Sequence, residues 1–345
     1  MDFKLAFIGF GVVGQGLAEI LLEKRDMLAK KYDFQWSVVA ISDTMKGSVY
    51  DENGLDMTKI LDLVKTGKKL DNYPSGKKGM DSLDTIKETN ADTIVEVTFT
   101  DIKTGEPAIT HIKAALNAGK NVVSTNKGPV VRQVMDLLKL AKQNNVYYGF
   151  EGVVLAGTPV LNLAEYTLAG NKITGFKGIL NGTTNYILTR MEEGMSYEDA
   201  LKKAQELGYA EADPTGDVEG LDALGKVVIL SNVVLGKNIG WEDVERKGIT
   251  EISSEDVKQA KAEGKRWKLI GSAEVQKDGS FKAKVEPVKL PLSDPLAGVN
   301  EAINALTFKT DELGSVTVVG PGAGRRETGF SLLIDLLNIN HKLSD

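Results

Sequence analysis

The sequence predicts an α/β protein of two domains: a doubly wound, largely parallel sheet and a second, α+β part. Three observations predict it. The chain of 345 residues exceeds a single average domain, and its 42% hydrophobic composition is ample for two cores. Its first fifty residues run strand, glycine-rich turn, helix, strand, the βαβ order that builds a parallel sheet. Near Gly149 the pattern changes to short strands interleaved with polar helices, until a last strand enters a second glycine-rich turn and a helix.

Phe3 to Ile8 alternate toward a strand, and GFGVVGQG follows. Gly9, Gly11 and Gly14 fit G-x-G-x-x-G in the required place, with Phe10, Val12 and Val13 completing the loop. The first two glycines permit a tight turn and close approach of a pyrophosphate, and the third permits packing of the helix; a bare glycine pattern can be only a turn, but between this strand and helix it reads as a Rossmann-type NAD or NADP site. GLAEILLEKRDMLAKK then reads as one helix and WSVVAISD as the second strand. Asp43 at its end suits a ribose hydroxyl of NAD, whereas Lys46 suits the extra phosphate of NADP, and the two readings stand side by side. The segment from Thr44 to Lys87 is polar and broken by Gly and Pro.

DTIVEVTF and NVVST continue the sheet, separated by the helical GEPAITHIKAALNAG. Ligands of such sheets bind beyond the carboxyl ends of the strands, which places Thr98, Thr100, Ser124, Asn126 and Lys127 where cofactor and substrate meet. A loop lysine is commonly solvated, yet Lys127 stands at a strand end, and both readings remain open.

In the second part KITGFKGIL reads as a strand, NGTTN as a turn and YILTRMEEG as a short helix. SYEDALKKAQELG reads as a helix capped by Ser196, with Asp199 three residues on and Gly208 as its stop. WKLIGSAEV, FKAKVEPV and SVTVVG are further strands. The last enters GPGAG, which includes Gly322 and either presents backbone N–H groups to a cofactor or makes a plain tight turn. The helix TGFSLLIDLL then returns to the first domain. The expected division is residues 1–148 with 318–345 for the dinucleotide-binding domain, and residues 149–317 for the substrate-binding, catalytic and dimerisation domain.

A net charge of −6 argues against a nucleic-acid binder, and no apolar run approaches membrane-spanning length. The N-terminal segment lacks a signal-peptide pattern, so a cytoplasmic protein is expected. With no cysteine there is neither a disulfide nor a thiolate zinc site nor a thioester route, and the two histidines, His111 and His341, read as structural. Proton work falls to Lys, Asp, Glu or water.

LDALGKVVILSNVVL, from Leu221 to Leu235, is a helix apolar nearly all round that carries only Asp222 and Lys226 as charges. Four residues apart, they share a face. A structural ion pair or a polar pocket explains them. Just upstream, Glu211, Asp213, Asp217 and Glu219 crowd GYAEADPTGDVEGLD. The spacing is not that of a calcium loop; a ligand ammonium or a solvated acidic loop would account for the cluster, and a polar pocket explains both it and the charges entering the helix.

GILNGTTNYIL, LGYAEADPTGDVEGLDALGKV, VVSTNKGPV around Lys127, and SDPLAGVNEAINALTF before GPGAG resemble, in order and over the full length, the motifs of homoserine dehydrogenases. The resemblance implies NAD(P)-dependent interconversion of L-aspartate 4-semialdehyde and L-homoserine, a step toward threonine, methionine and isoleucine. It implies that Lys226 transfers the proton of the substrate oxygen, that Lys127 supports catalysis near nicotinamide and substrate, and that Asp222 orients Lys226 or holds substrate. Glu211, Asp217, Tyr209 and the Gly182–Thr183 turn would surround the amino-acid end. A sodium ion would be held mainly by backbone oxygens at Glu151, Val154, Ala156 and Thr158, and family members commonly pair as homodimers through the second domain's sheet. Arg325 and Arg326 depart from the family's small residues and put cofactor contacts there in doubt. No appended regulatory domain or fused kinase is expected. An oxidoreductase for another amino-acid aldehyde and a nucleotide-sensing protein without chemistry are the alternatives.

Overall fold

The computed structural model describes residues 2–276 and 278–344; residues 1 and 345, the outer limits of the expected first domain, lie outside it. The chain forms two compact units, Met1–Gly157 with Gly324–Asp345, and Thr158–Ala323.

The first unit is built on a seven-stranded sheet of β1 (Asp2–Ile8), β2 (Gln35–Asp43), β3 (Gly47–Tyr50), β4 (Lys77–Lys78), β5 (Thr93–Glu96), β6 (Asn121–Ser124) and β7 (Tyr148–Gly149), in the order β4-β3-β2-β1-β5-β6-β7. The run β2-β1-β5-β6-β7 is parallel; β3 and β4 extend it antiparallel at one edge. The order reverses at β1, the position where doubly wound sheets bind ligands. Central β1 is buried on both faces, as a strand covered by helices on either side must be.

The expected single helix after the glycine-rich turn is two, Val12–Glu23 and Arg25–Tyr32, because Lys24 takes a non-helical conformation at φ −102° and ψ 7°. The polar stretch after β2 is also more ordered than its composition suggests. It holds β3, a helix Met57–Lys65 capped by Asp56, which accepts from the N–H groups of Thr58 and Lys59, and a helix Ser82–Glu88. The C-terminal helix Arg325–Ser344 returns to this unit, and its Leu332, Leu333, Leu336 and Ile339 join Leu17 and Leu21 in one core. Gly16 makes that approach possible, since a Cβ there would lie 2.3 Å from the Arg325 carbonyl oxygen.

The second unit carries a six-stranded sheet, β13-β12-β8-β10-β11-β9, formed by β8 (Ile173–Ile179), β9 (Glu245–Arg246), β10 (Lys265–Val275), β11 (Phe281–Pro291), β12 (Ile303–Thr310) and β13 (Ser315–Pro321). Its long neighbours pair antiparallel. One face is covered by helices: a Cβ at Gly271 would meet Leu180 and Val227 at 2.6 and 2.8 Å. NGTTN is not a turn but a helix start, Gly182–Glu192 capped by Asn181. The helix expected over Leu221–Leu235 spans Leu221–Val233 and is buried from Ala223 to Asn232. Among the described residues no helix is long and apolar enough to cross a membrane.

Candidate active site

In the second unit, β8 ends at Ile179 and the chain turns through Leu180 and Asn181 into the Gly182–Glu192 helix. The Asn181 side chain organises that turn. Its Oδ1 accepts from the Thr184 N–H and hydroxyl, both at 2.9 Å, while its Nδ2 donates to Asp217 Oδ1 at 2.6 Å and to Asp222 Oδ2 at 3.1 Å. Asn-cap chemistry at one end and two carboxylates at the other use the whole amide.

Asp222 lies in the first turn of its helix, where the helix dipole favours an anion. One turn on, Lys226 donates from Nζ to Asp222 Oδ2 at 2.7 Å and to the Leu180 carbonyl oxygen at 2.6 Å. Lys226 is buried, whereas the Asp222 side chain retains 20% of its exposure. A buried lysine held by a carboxylate and a carbonyl, with that carboxylate reaching solvent, has the chemistry to give or take a proton.

Asp217 joins them from the one-turn helix Thr215–Val218. Burial pushes its carboxyl above the usual carboxylate range; Asn181 opposes the shift, Asp222 adds to it, and Lys226 and Thr183 oppose it. Thr183 donates its hydroxyl to the Tyr209 carbonyl oxygen at 2.6 Å, and the Tyr209 ring packs on Tyr186 with centroids 5.2 Å apart. Among the described residues no acceptor is bonded to the N–H of Gly182 or Thr183, so the helix start offers two donors to an anion. Gly182 has no room for a side chain, because a Cβ would lie 2.7 Å from the Ala302 carbonyl oxygen.

The acidic loop therefore divides. Asp217 and Asp222 converge on Asn181 and Lys226. Glu211 is exposed on the loop, and Asp213 caps its own turn through the Thr215 N–H. Glu219 is drawn away: its carboxylate pairs with Arg246 at 3.5 Å and accepts from the Thr250 hydroxyl at 3.0 Å. Asn304, which sequence reasoning passed over, is 1% exposed with both carboxamide ends unpartnered, and it lies so close to Gly322 that a Cβ there would be 2.2 Å from Asn304 Cγ.

The first unit fits a dinucleotide. Gly9 takes φ +86°, and a Cβ on it would lie 2.6 Å from the Val97 carbonyl oxygen. The Val12–Glu23 helix starts at Gly11 with no side-chain cap, and nothing lies within 4 Å of a Cβ built at Gly11. An anion can therefore approach the helix N-terminus directly. Phe10 donates its N–H to Asp43. At the ends of β5 and β6, Thr98 and Ser124 turn their hydroxyls to the buried Glu96, with Ser124 Oγ 3.2 Å from Glu96 Oε2. Glu96, also overlooked in the sequence, thus fixes this rim. His111 lies behind it, Nδ1 3.6 Å from Glu96 Oε1.

Asn126 caps the Lys127–Gln143 helix through the Gly128 N–H at 3.2 Å and donates to the Phe99 carbonyl oxygen at 3.1 Å. Lys127 is the first residue of that helix and half-buried. Arg325 and Arg326 pair with Glu19 and Glu23 on the Val12–Glu23 helix, so both guanidinium groups tie helix to helix. For the cation expected near residue 151, Glu151 is buried, Val154 lies in the short helix Gly152–Leu155, and Ala156 takes φ +48°. Thr158, first residue of the second unit, donates its hydroxyl to the Pro321 carbonyl oxygen at 3.0 Å. The described residues contain no group of three or more His, Cys, Asp or Glu side chains that could hold a metal ion.

Comparison with known proteins finds relatives over the whole chain. Residues 159–337 match the homoserine dehydrogenase family model, and residues 3–115 match that of glutamate/leucine/phenylalanine/valine dehydrogenases. The chain is 45% identical to an NAD(+)-dependent homoserine dehydrogenase of Pseudomonas canavaninivorans, over 98% of this chain and 96% of that one. It superimposes on the crystal structure described as a homoserine dehydrogenase of Archaeoglobus fulgidus with a TM-score of 0.87 at 39% identity, over 98% of this chain and 99% of that one. A hyperthermophilic archaeal homoserine dehydrogenase in complex with NADPH gives a TM-score of 0.84 at 30% identity, covering 99% of this chain and 98% of that one.

Proposed function

The chain belongs to the homoserine dehydrogenase family, and on that premise we propose that Lys226 carries the proton of the reaction while Asp222 and Asn181 hold it in place. The protein is an NAD(P)-dependent oxidoreductase of amino-acid biosynthesis that interconverts L-aspartate 4-semialdehyde and L-homoserine. When bound, nicotinamide supplies the hydride for the aldehyde carbon and receives it from the alcohol carbon. The observation that carries the residue assignment is the buried Lys226 ammonium, bonded to Asp222 and the Leu180 carbonyl oxygen.

In the reducing direction Lys226 Nζ gives a proton to the oxygen that becomes the hydroxyl, and in the oxidising direction the amine takes it back. Asp222 keeps the ammonium pointed along one line. Asp217 and Glu211 serve the substrate ammonium. Gly182 and Thr183 serve its carboxylate through backbone N–H groups, with Tyr209 beside them. In the first unit, Gly9, Phe10, Gly11, Val12, Val13 and Gly14 hold the pyrophosphate, and Thr98 and Ser124 form the rim; Lys127 supports catalysis from its helix start. Glu151, Val154, Ala156 and Thr158 would hold a sodium ion, which would fix the backbone of that segment.

Pairing of two copies through the six-stranded sheet fits its helix-free face, where Lys177, Ser272, Glu274, Lys284, Glu286 and Lys309 line a shallow depression. Light scattering on the purified protein tests it: a dimer mass supports the pairing, and a monomer mass at micromolar concentration excludes it. A cytoplasmic setting follows from the soluble substrates of this biosynthetic step. The test of the residue assignment is Lys226→Ala, which should remove turnover of L-homoserine while NADH or NADPH still binds.

A further inference from the structure

Lys268 is 1% exposed and stands in β10 three residues before Gly271, which pairs with Gly178 near the end of β8. Opposite Lys268 the chain has already left the sheet for the Gly182–Glu192 helix. Its Nζ donates to Asn185 Oδ1 at 2.9 Å, to Asn300 Oδ1 at 3.2 Å and to the Val299 carbonyl oxygen. Three donors meet three acceptors, and none of these is a carboxylate. The nearby acids are engaged elsewhere, Glu192 with Arg266 and Glu301 with Arg190. A buried ammonium without its own counter-ion costs stability, and a methionine would fill similar space without that cost, so packing does not account for it.

The partners of this ammonium lead to the substrate site. Asn185 lies one turn after Asn181, the cap of the helix whose start at Gly182 and Thr183 serves the substrate carboxylate. Because an ammonium only donates, it turns the Asn185 amide so that Oδ1 faces it and Nδ2 faces away. Nδ2 then donates to the carbonyl oxygens of Val299, Glu301 and Ile303 at 3.2, 2.9 and 3.0 Å. Within that segment Glu301 takes φ +61° and gives its N–H to Thr189 Oγ1 at 3.2 Å. Ala302, between two of the residues so held, walls the helix start: a Cβ at Gly182 would lie 2.7 Å from its carbonyl oxygen. A flipped Asn185 amide would set Oδ1 against three carbonyl oxygens and release them.

We infer that Lys268 is a positioning residue for the substrate: by fixing the Asn185 amide it holds residues 299–303 against Gly182, and so sets the two N–H groups that receive the carboxylate. This rests on reading Gly182 and Thr183 as the carboxylate site. The charge matters as well as the donors. A neutral amine has two N–H groups for three acceptors, and bonds from an ammonium are roughly twice as strong as neutral ones. Burial lowers the Lys268 pKa to about 8; Glu192 on the helix raises it, Arg266 on its own strand lowers it and Glu301 raises it, while Val288 opposite it on β11 adds no charge. The hold on substrate therefore weakens above that pH.

The test is steady-state kinetics with L-homoserine on full-length wild type and Lys268→Met, at about pH 7 and about pH 9.5, with NADH titration on the same samples. At the lower pH, Lys268→Met should raise KM for homoserine about fivefold or more, with kcat within about twofold and NADH affinity unchanged. At the higher pH the ratio of variant to wild-type KM should shrink by about threefold, because wild type has lost its proton too. Titration of the substrate ammonium and of Lys226 is common to both enzymes and cancels in that ratio. An unchanged KM overturns the inference, as does a raised ratio that is equal at the two pH values, which is what a purely structural loss would give. Should Lys268→Met fail to fold, Asn300→Asp decides: a carboxylate placed 3.2 Å from Nζ retains the proton to higher pH, so the rise in homoserine KM must move up by about half a pH unit or more, and an unmoved rise overturns the inference. Absence of homoserine turnover by wild type would sink the activity and this inference together, whereas an unchanged KM beside normal turnover sinks this inference alone.

Discussion

Replacing Asn181 by Asp keeps the helix cap, because aspartate serves that position as well as asparagine, and converts one donor into an anion. The new oxygen would sit where Nδ2 now lies 2.6 Å from Asp217 and 3.1 Å from Asp222. At an effective dielectric of about 20, two unit charges at those distances repel by roughly 5–6 kcal/mol for each pair. Holding a proton at pH 7 on a group whose unfolded pKa is about 3.9 costs about 4 kcal/mol, less than the summed repulsion, so the folded variant takes up a proton.

A carboxyl with a raised folded pKa contributes stability that is present below the unfolded pKa and is lost as pH rises through the folded one. The stability gap to wild type should therefore widen by about 1.4 kcal/mol per pH unit, from roughly 1.5 at pH 5 to roughly 4 at pH 7. Urea denaturation of Asn181→Asp, Asn181→Ala and wild type at both pH values measures it, and terms independent of pH cancel in the difference. Asn181→Ala removes the donor without adding charge and should show a nearly constant gap. An Asn181→Asp gap equal at the two pH values would refute the argument that Asn181 bridges two carboxylates.

Lys226→Ala should lower kcat by about 10²–10⁴-fold, and Lys226→Arg should not restore it, since the planar fork cannot take the place of an ammonium; steady-state kinetics beside NADH titration reads both. Asp217→Asn should be at least as stable as wild type at pH 7, because burial disfavours the ionised carboxyl, while its KM for homoserine rises; thermal unfolding and kinetics on one preparation check the two halves. In Lys268→Met a different buried lysine goes, one that donates to Asn185 Oδ1 at 2.9 Å, the Val299 carbonyl oxygen at 2.5 Å and Asn300 Oδ1 at 3.2 Å. Burial lowers the Lys268 pKa to about 8, so above that pH the unfolded chain holds a proton that the folded chain has released. Wild-type stability relative to Lys268→Met should then rise by about 1.4 kcal/mol per pH unit from about pH 8 to about pH 10, and fall back as pH drops through 8; denaturant titrations at the two ends measure it.

The parallel sheet was legible because β1, β2, β5 and β6 are apolar runs bounded by turn residues, and because the glycine pattern fell between a strand and a helix. The break at Lys24 was not, since no Gly or Pro marks it. NGTTN read as a turn because Asn-Gly is a turn signal, yet Asn181 is a residue type that also caps helices, and its bonds to the Thr184 N–H and hydroxyl decide the matter. β12 passed unnoticed within a motif recognised for other reasons.

At the site, the pairing of Asp222 with Lys226 followed from helical spacing alone. Which acidic residues would join them did not, because it depends on partners distant in the chain: Arg246 and Thr250 remove Glu219, and Asn181 gathers Asp217. Glu96 and Asn304 carried no local signal beyond being polar residues within strands. Arg325 and Arg326 put cofactor contacts at the second glycine-rich turn in doubt; their acidic partners, some three hundred residues earlier, could not be read from the sequence.

The measurement closest to the central claim mixes purified wild type and Lys226→Ala with L-homoserine and NAD or NADP and follows reduced-nicotinamide absorbance, with L-threonine, L-serine and L-malate as controls and cofactor binding measured on the same samples. The account predicts reduction by wild type with homoserine alone, and its loss in Lys226→Ala with cofactor affinity intact. Turnover by Lys226→Ala at the wild-type rate would contradict the role given to Lys226, and silence of wild type in both reaction directions with cofactor bound would contradict the activity itself.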